Sequence, residues 1–336
     1  MFGSRIAVLT CLLLFSLCST LLPAQTTNAT ITGFITDQSK AVITGIKVEV
    51  INTDTSLHYG STTNSEGSYT VTGLPPGNYK IQVEKPGFKA IVKPDLVLHV
   101  QDVVAINFTM AIGSVSESIT VEGGAPLVNT ESATVSTVVD RQFAENLPMN
   151  GRSFQTLIEL TPGVVVVGSN AFDSGQFSIN GQRAASNYWM VDGVSANVGI
   201  SSSPGGFGPG EGLGGTLGSF SVLGGTNSLV SVDAMEEFRI QTSTYAPEFG
   251  RTPGGQISIV TRSGKNAFHG TAFDYFRNDI LDASDWFNGY TNNPPLPKAE
   301  ERQNDFGGTF SGPILKNRAF FSFHTRDFAY DSHRPH

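Results

Sequence analysis

Strict alternation of apolar and polar positions dominates the first third of the chain. In "GIKVEVIN", Ile46, Val48 and Val50 fall on one face and Lys47 and Glu49 on the other; "NYKIQVEK" sets Tyr79, Ile81 and Val83 against Lys80, Gln82 and Glu84. A period of two is that of a half-buried strand. Residues that permit or fix the dihedrals of a reversal separate these runs: Ser65-Glu66-Gly67, Leu74-Pro75-Pro76-Gly77 and Lys85-Pro86-Gly87. Short strands at this spacing predict a small antiparallel β-sandwich over residues 26–112.

The pattern then changes twice. Residues 113–124, within "IGSVSESITVEGG", are small and polar and read as a linker holding one short extended segment. Mixed α/β patterning follows over 125–264. "DRQFAENLPM" and "GRSFQTLIELTPG" are short helix candidates, the second placing Phe154, Leu157 and Ile158 at i, i+3, i+4 before Thr161-Pro162-Gly163 ends it. Strands are expected at Val164 to Val167, Phe177 to Ile179, Tyr188 to Val191, Phe238 to Thr242 and Gln256 to Thr261. The stretch from Gly199 to Gly225 is so rich in glycine that it reads as a loop. From 265 to 336 alternation returns with aromatic residues: Phe306, Phe310 and Ile314 oppose Gly307, Thr309 and Ser311, and Phe321 and Phe323 oppose Ser322, His324 and Arg326. Strands of that kind present one face to lipid and one to water.

Composition narrows the chemistry. Only 15% of the 336 residues are charged while 37 are glycine and 23 phenylalanine, which favours strands and turns and a mainly β fold. The first 24 residues have the form of a secretory signal, with Arg5, an apolar run from Ile6 to Leu17 and a small-residue site at Leu22-Pro23-Ala24. Cys11 and Cys18 fall inside it, so the exported chain is expected to have no thiol for disulfides, zinc or nucleophilic catalysis. His58 and His99 lack a metal-ligand spacing, and neither a metal nor a cofactor is expected. A net charge of −8 argues against nucleic acid as a partner. No later segment approaches the roughly 18 apolar residues of a membrane helix, so any insertion must use strands.

One stretch raises an enzyme reading. In "NYWMVDGVSAN", Gly193-Val194-Ser195-Ala196-Asn197 falls one residue short of the G-x-S-x-G turn that presents a catalytic serine. Asn197 stands where that turn requires a small residue, and a glycine-rich loop follows where it requires a helix. Asp192-Gly193 instead suits the tight turn of a hairpin whose first strand is "NYWMV". The chain is therefore not expected to be an enzyme.

Two resemblances follow from longer blocks. Gly33, "VEVINTDT" and "TTNSEGSYTVTGLPPGNYKIQVEKPGF" resemble the carboxypeptidase regulatory-like domain, a transthyretin-like or Ig-like sandwich without a protease centre. "NLPMNGRSFQTLIELTPGV", "FSINGQRAASNYWMVDGVSAN" and "EEFRIQTSTYAPEFGRTPGGQISIVTRSGKNAFHGTAFDYFRND" resemble the plug and first barrel strands of a TonB-dependent outer-membrane receptor, in the Oar-like branch. The implied fold is sandwich, α/β plug, then a few antiparallel strands of an incomplete transmembrane β-barrel. The resemblance places the TonB box, which pairs with the energising TonB-type protein by strand addition, at Glu117, Ser118, Ile119, Thr120 and Val121. It matches Arg152, Arg183, Asp192, Gly193, Glu248, Arg251 and Arg262 to recurring plug positions. Outer-membrane lipid and a ligand that is a peptide, a glycan or a metal chelate are the other implied partners. After Lys265 there is room for only about three or four membrane strands of roughly 9 to 11 residues. Such receptors close about 22 strands around the plug. The expectation is an N-terminal fragment that gates energised uptake in the intact receptor and does not transport alone. A soluble secreted module binding glycan or peptide is the alternative.

Overall fold

The computed structural model describes residues 27–113, 118–120, 134–146, 157–166, 177–183, 186–196, 230–245, 252–283 and 300–333. The signal segment, the glycine-rich loop and the first part of the second expected helix lie outside them. The fold is mainly β.

The N-terminal unit is a sandwich of two sheets. In one, β1 (Ala29–Asp37) pairs antiparallel with β4 (Ser68–Leu74) and, along its two halves, parallel with β7 (Val103–Ala105) and β8 (Phe108–Met110). The other has the order β3 (His58–Thr62), β2 (Lys47–Asn52), β5 (Gly77–Glu84), β6 (Ala90–Leu98), β9 (Ser118–Thr120). The alternating residues read from the sequence supply the core: Ile46, Val48, Val50, Tyr79, Ile81 and Val83 are all fully buried, together with Ile31 and Ile35 of β1. On the outer face, Glu49 of β2 accepts from His58 Nδ1 of β3 at 3.0 Å, an ordinary cross-strand pair that holds the Glu49 carboxyl below its usual range. The turns form where expected. Asn64 Oδ1 accepts from the Glu66 and Ser68 amides around Gly67, which has φ 71°, and the Tyr79 hydroxyl donates to the Pro75 carbonyl at 2.6 Å.

Within the expected linker, the extended segment does not stand apart. β9 joins the second sheet, parallel to β6, with Ala90 opposite Ser118, Ile91 opposite Ile119 and Val92 opposite Thr120.

The second unit is a five-stranded sheet in the order β10 (Val135–Asp140), β15 (Met235–Ser243), β16 (Gln256–Thr261), β13 (Tyr188–Val191), β14 (Val194–Ser195). A short helix, α1 (Arg141–Asn146), follows β10, its Phe143 amide held by Asp140 Oδ1 at 2.8 Å. β11 (Val164–Val166) and β12 (Phe177–Ile179) form a separate antiparallel pair. One face of the five-stranded sheet is apolar, where Trp189, Phe238, Ile240, Ile257 and Ile259 pack with Phe177, Leu157 and Ile158. The Phe177 and Trp189 rings meet edge to face at 5.5 Å.

The third unit is a meander of β17 (His269–Asn278), β18 (Glu300–Leu315) and β19 (Ala319–His333), antiparallel throughout. Its two faces differ as the alternation predicts. Phe306, Phe310, Ile314 and Phe323 are exposed on one side, and Phe310 stacks with Phe268 at 5.9 Å. Asp305, Thr309 and Ser311 are buried on the other.

Candidate functional site

The hairpin at Asp192 lies beside the end of β16, where the chain leaves the second unit for the third. Tyr188 to Val191 form a strand because aromatic and branched residues fit a pleated, half-buried surface. Asp192 and Gly193 then turn it back, both at positive φ, 49° and 81°, so that Val191 opposes Val194. This is the tight-turn geometry that Asp-Gly favours. Asp192 does a second job: its carboxylate accepts from the Thr261 amide at 2.9 Å and from the Thr261 hydroxyl at 2.7 Å. It thereby fixes the end of β16, the last strand of the second unit before the chain passes into the meander.

Ser195 lies exposed in β14, a hairpin strand rather than a strand-to-helix turn. Ser195→Ala should therefore leave stability within about 0.5 kcal/mol. Gly193→Val, forcing a branched residue to positive φ, should cost about 1–3 kcal/mol. Urea midpoints of the two variants measure the difference.

Arg262 is the next residue after the Asp192-held Thr261. Its side chain is buried, and Nη1 donates to the Thr309 hydroxyl of β18 at 2.9 Å, while Thr309 also bonds the Thr271 hydroxyl of β17 at 2.8 Å. Tyr275 of β17 donates to Asp233 Oδ1, just ahead of β15, at 2.9 Å. Polar side chains of the meander thus face the five-stranded unit, with Phe273 stacked on Tyr275 among them, while Phe306, Phe310 and Phe323 face away. Further along that inner face, Asp305 accepts two bonds from the Arg326 guanidinium of β19.

A second set of contacts ties the sandwich to the five-stranded sheet. The turn between β6 and β7, residues 99–102, lies against β15. His99 Nδ1 meets Glu237 Oε2 at 2.8 Å, Glu237 Oε1 accepts from the Val100 amide, and Gln241 Nε2 donates to Gln101 Oε1 at 2.9 Å. Arg239 pairs with Asp102 and donates to the Gln101 carbonyl at 3.2 Å. The Glu237 bond, reinforced by the nearby Asp102 charge, holds His99 protonated above its usual range, against partial burial and the Arg239 charge. Sequence reading gave His99 no role; its partner is 138 positions away, and no spacing signal connects them.

The expected site residues are distributed as follows. Ser118, Ile119 and Thr120 form β9, and Glu117 and Val121 lie outside the described residues. Arg183 is exposed beside a turn in which its carbonyl accepts from the Ser186 amide at 2.9 Å. Asp192 and Gly193 form the turn that bonds Thr261, and Arg262 follows that threonine directly. Arg152, Glu248 and Arg251 lie outside the described residues. Among the described residues no group of three His, Cys, Asp or Glu could hold a metal ion, and no helix is long and apolar enough to cross a membrane.

Three family models match the chain in series: the carboxypeptidase regulatory-like domain over residues 30–111, the TonB-dependent receptor plug domain over 128–256 and an outer membrane beta barrel domain over 260–334. The TonB-dependent transporter Oar of Myxococcus xanthus is 28% identical over 308 residues, covering 88% of this chain and 26% of Oar. The chain therefore spans about a quarter of that relative's length. Among solved structures, the siderophore receptor PirA from Acinetobacter baumannii has a TM-score of 0.40 at 20% identity, covering 59% of this chain and 24% of PirA. The outer membrane transporter YddB from Escherichia coli has a TM-score of 0.36 at 16% identity, covering 52% of this chain and 25% of YddB. Sandwich, five-stranded sheet and two-faced strands follow one another in the order of the three matched domains, and together the matches make the chain similar to the N-terminal portion of a TonB-dependent receptor.

Proposed function

We propose that this chain supplies the gate of an energised outer-membrane receptor: the plug sheet blocks the lumen, the meander begins the surrounding wall, and β9 is the strand that the TonB-type protein takes hold of. The observation that carries the reading is the inner face of the meander, where Thr309 and Tyr275 bond Arg262 and Asp233 of the plug while Phe306, Phe310 and Phe323 point outward. A strand pair that faces polar contacts on one side and bare aromatic rings on the other suits a barrel wall in lipid. The function is conformational: no reaction is assigned, and a pull on the box strand is coupled to release of ligand by differences in contact free energy between gate states. The ligand class remains that of the sequence expectation, a peptide, a glycan or a metal chelate. The signal segment would export the chain to the outer membrane, with the sandwich on the periplasmic side.

Strand addition depends on backbone donors, which proline lacks. Detergent-solubilised chain should retain the periplasmic domain of the cognate TonB-type protein on a column, and Ile119→Pro should weaken that retention by about tenfold or more. Retention that is absent in the unaltered chain, or indifferent to Ile119→Pro, removes β9 from the role.

A further inference from the structure

The five-stranded plug sheet has two buried faces, one apolar throughout and one that is polar along β15 and β16 but apolar on β13, where Tyr188 and Met190 lie. Trp189, Phe238, Ile240, Ile257 and Ile259 make the apolar one; the other carries Glu237, Arg239 and Gln241 of β15 beside Gln256 and Ser258 of β16, all no more than 5% exposed. Register places Arg239 opposite Ser258 and Gln241 opposite Gln256, so these side chains form one continuous polar patch. The sandwich turn at residues 99–102 contacts the β15 row of that patch through hydrogen bonds and ion pairs of Glu237, Arg239 and Gln241. The fit is also incomplete. Gln101 Nε2, Gln241 Oε1, Gln256 Oε1 and Ser258 Oγ are buried without a hydrogen-bond partner among the described residues. A face that stayed permanently dry would be more stable with apolar residues, since buried ion pairs rarely repay their desolvation and each orphaned polar atom adds a penalty. A face that alternates between contact and water has reason to stay polar.

We propose that the contact between the turn at residues 99–102 and the polar row of β15 is a reversible clasp, by which the sandwich docks on the plug sheet and lifts from it as a body. The connection to the rest of the chain is mechanical. β6 ends at Leu98, one residue before the clasp, and carries β9 at its other end, opposite Ala90 to Val92. Tension on β9 is therefore applied to the strand that leads into the clasp. The clasp itself stands on the contacts of residues 99–102 and does not depend on which partner takes β9.

Acidity should tighten it. The charged groups facing His99 are Glu237 and Arg239 of β15 and Asp102 of its own turn, whose Oδ2 accepts from the His99 amide at 2.9 Å. Docking raises the affinity of His99 for its proton. That contribution is fully present below the undocked value near 6.5 and is lost as pH rises through the raised docked value.

Adjacent residues on opposite faces of β16 make the test. In a chain with Cys11 and Cys18 replaced by serine, Ser258→Cys samples the clasp face and Ile257→Cys the apolar core, both positions being 1% exposed. Each is labelled with a maleimide, the rate being normalised to the same variant in urea at the same pH. Ser258→Cys should label faster than Ile257→Cys, and their ratio should climb between about pH 5 and pH 8. Asp102→Asn should raise the ratio by about tenfold, and His99→Gln should flatten its pH dependence. Equal rates at the two positions under all conditions would mean that the face opens only when the plug unfolds, and the clasp is overturned. A ratio unmoved by Asp102→Asn overturns it as well.

Discussion

Asp305→Ala should loosen the meander more than any other single change on its inner face, by about 3–5 kcal/mol. The Asp305 side chain is 1% exposed and its carboxylate takes two bonds from the Arg326 guanidinium, itself only 10% exposed. Burying both charges is expensive, and each is tolerable only because the other is present. Truncating the carboxylate leaves the guanidinium buried without its counter-charge; Arg326 Nη1 already has no partner among the described residues. Hydrogen exchange reads the effect locally: amides of β18 and β19 near Asp305 should exchange at least about a hundredfold faster, a factor of ten for each 1.4 kcal/mol. Replacing both partners, Asp305→Leu with Arg326→Met, should recover most of the protection, because no charge is then stranded. A single and a double variant with equal exchange rates would show that packing loss, not the uncompensated charge, sets the cost.

The pair also shows where sequence reading reaches and where it stops. Alternation placed Phe306 and Phe310 on one face and Thr309 on the other, and placed Arg326 opposite Phe321 and Phe323, because a period of two is written in consecutive residues. It could not match Arg326 to Asp305. Register between strands depends on the intervening turn at Lys316 to Arg318, and a slip of one residue exchanges every face. The same limit explains His99, read as an ordinary strand or loop histidine, which reaches Glu237 across a domain boundary. It also explains β9. The short extended segment was legible, but its partner was not: pairing with the edge of β6 is a contact between residues about 28 positions apart. Asp192-Gly193 was legible for the opposite reason: turn chemistry is local, and the demand for positive φ at two successive positions is met by few dipeptides. What the turn does for Thr261 was not legible, since that contact spans 69 positions.

Gly33→Ala should destabilise the sandwich by about 3 kcal/mol, through a clash that has no flexible partner. Gly33 lies midway along β1, where its parallel neighbour changes from β7 to β8 and the chain between them crosses at Ile106 and Asn107. The crossing is tied down on both sides of Gly33: the Ile106 amide donates to the Thr32 carbonyl at 2.8 Å, and Asn107 Oδ1 accepts from the Phe34 amide at 2.8 Å. The Tyr69 hydroxyl donates to the Ile106 carbonyl at 2.8 Å, and burial pushes that phenol's pKa upward. A methyl group on Gly33 would stand 1.9 Å from the Ile106 oxygen and 3.0 Å from the Tyr69 ring. Relief requires moving a backbone carbonyl that is held by two bonded neighbours and capped by a buried tyrosine, so β7 and β8 must shift together. Gly60→Ala, on β3, is the control, because its added methyl would meet only the Val48 carbonyl at an ordinary 3.6 Å; its effect should stay within about 0.5 kcal/mol. Thermal unfolding of the two variants separates the outcomes. If Gly33→Ala melts with Gly60→Ala, the crossing at Ile106 is softer than its hydrogen bonds imply, and β1 is not the rigid centre of its sheet.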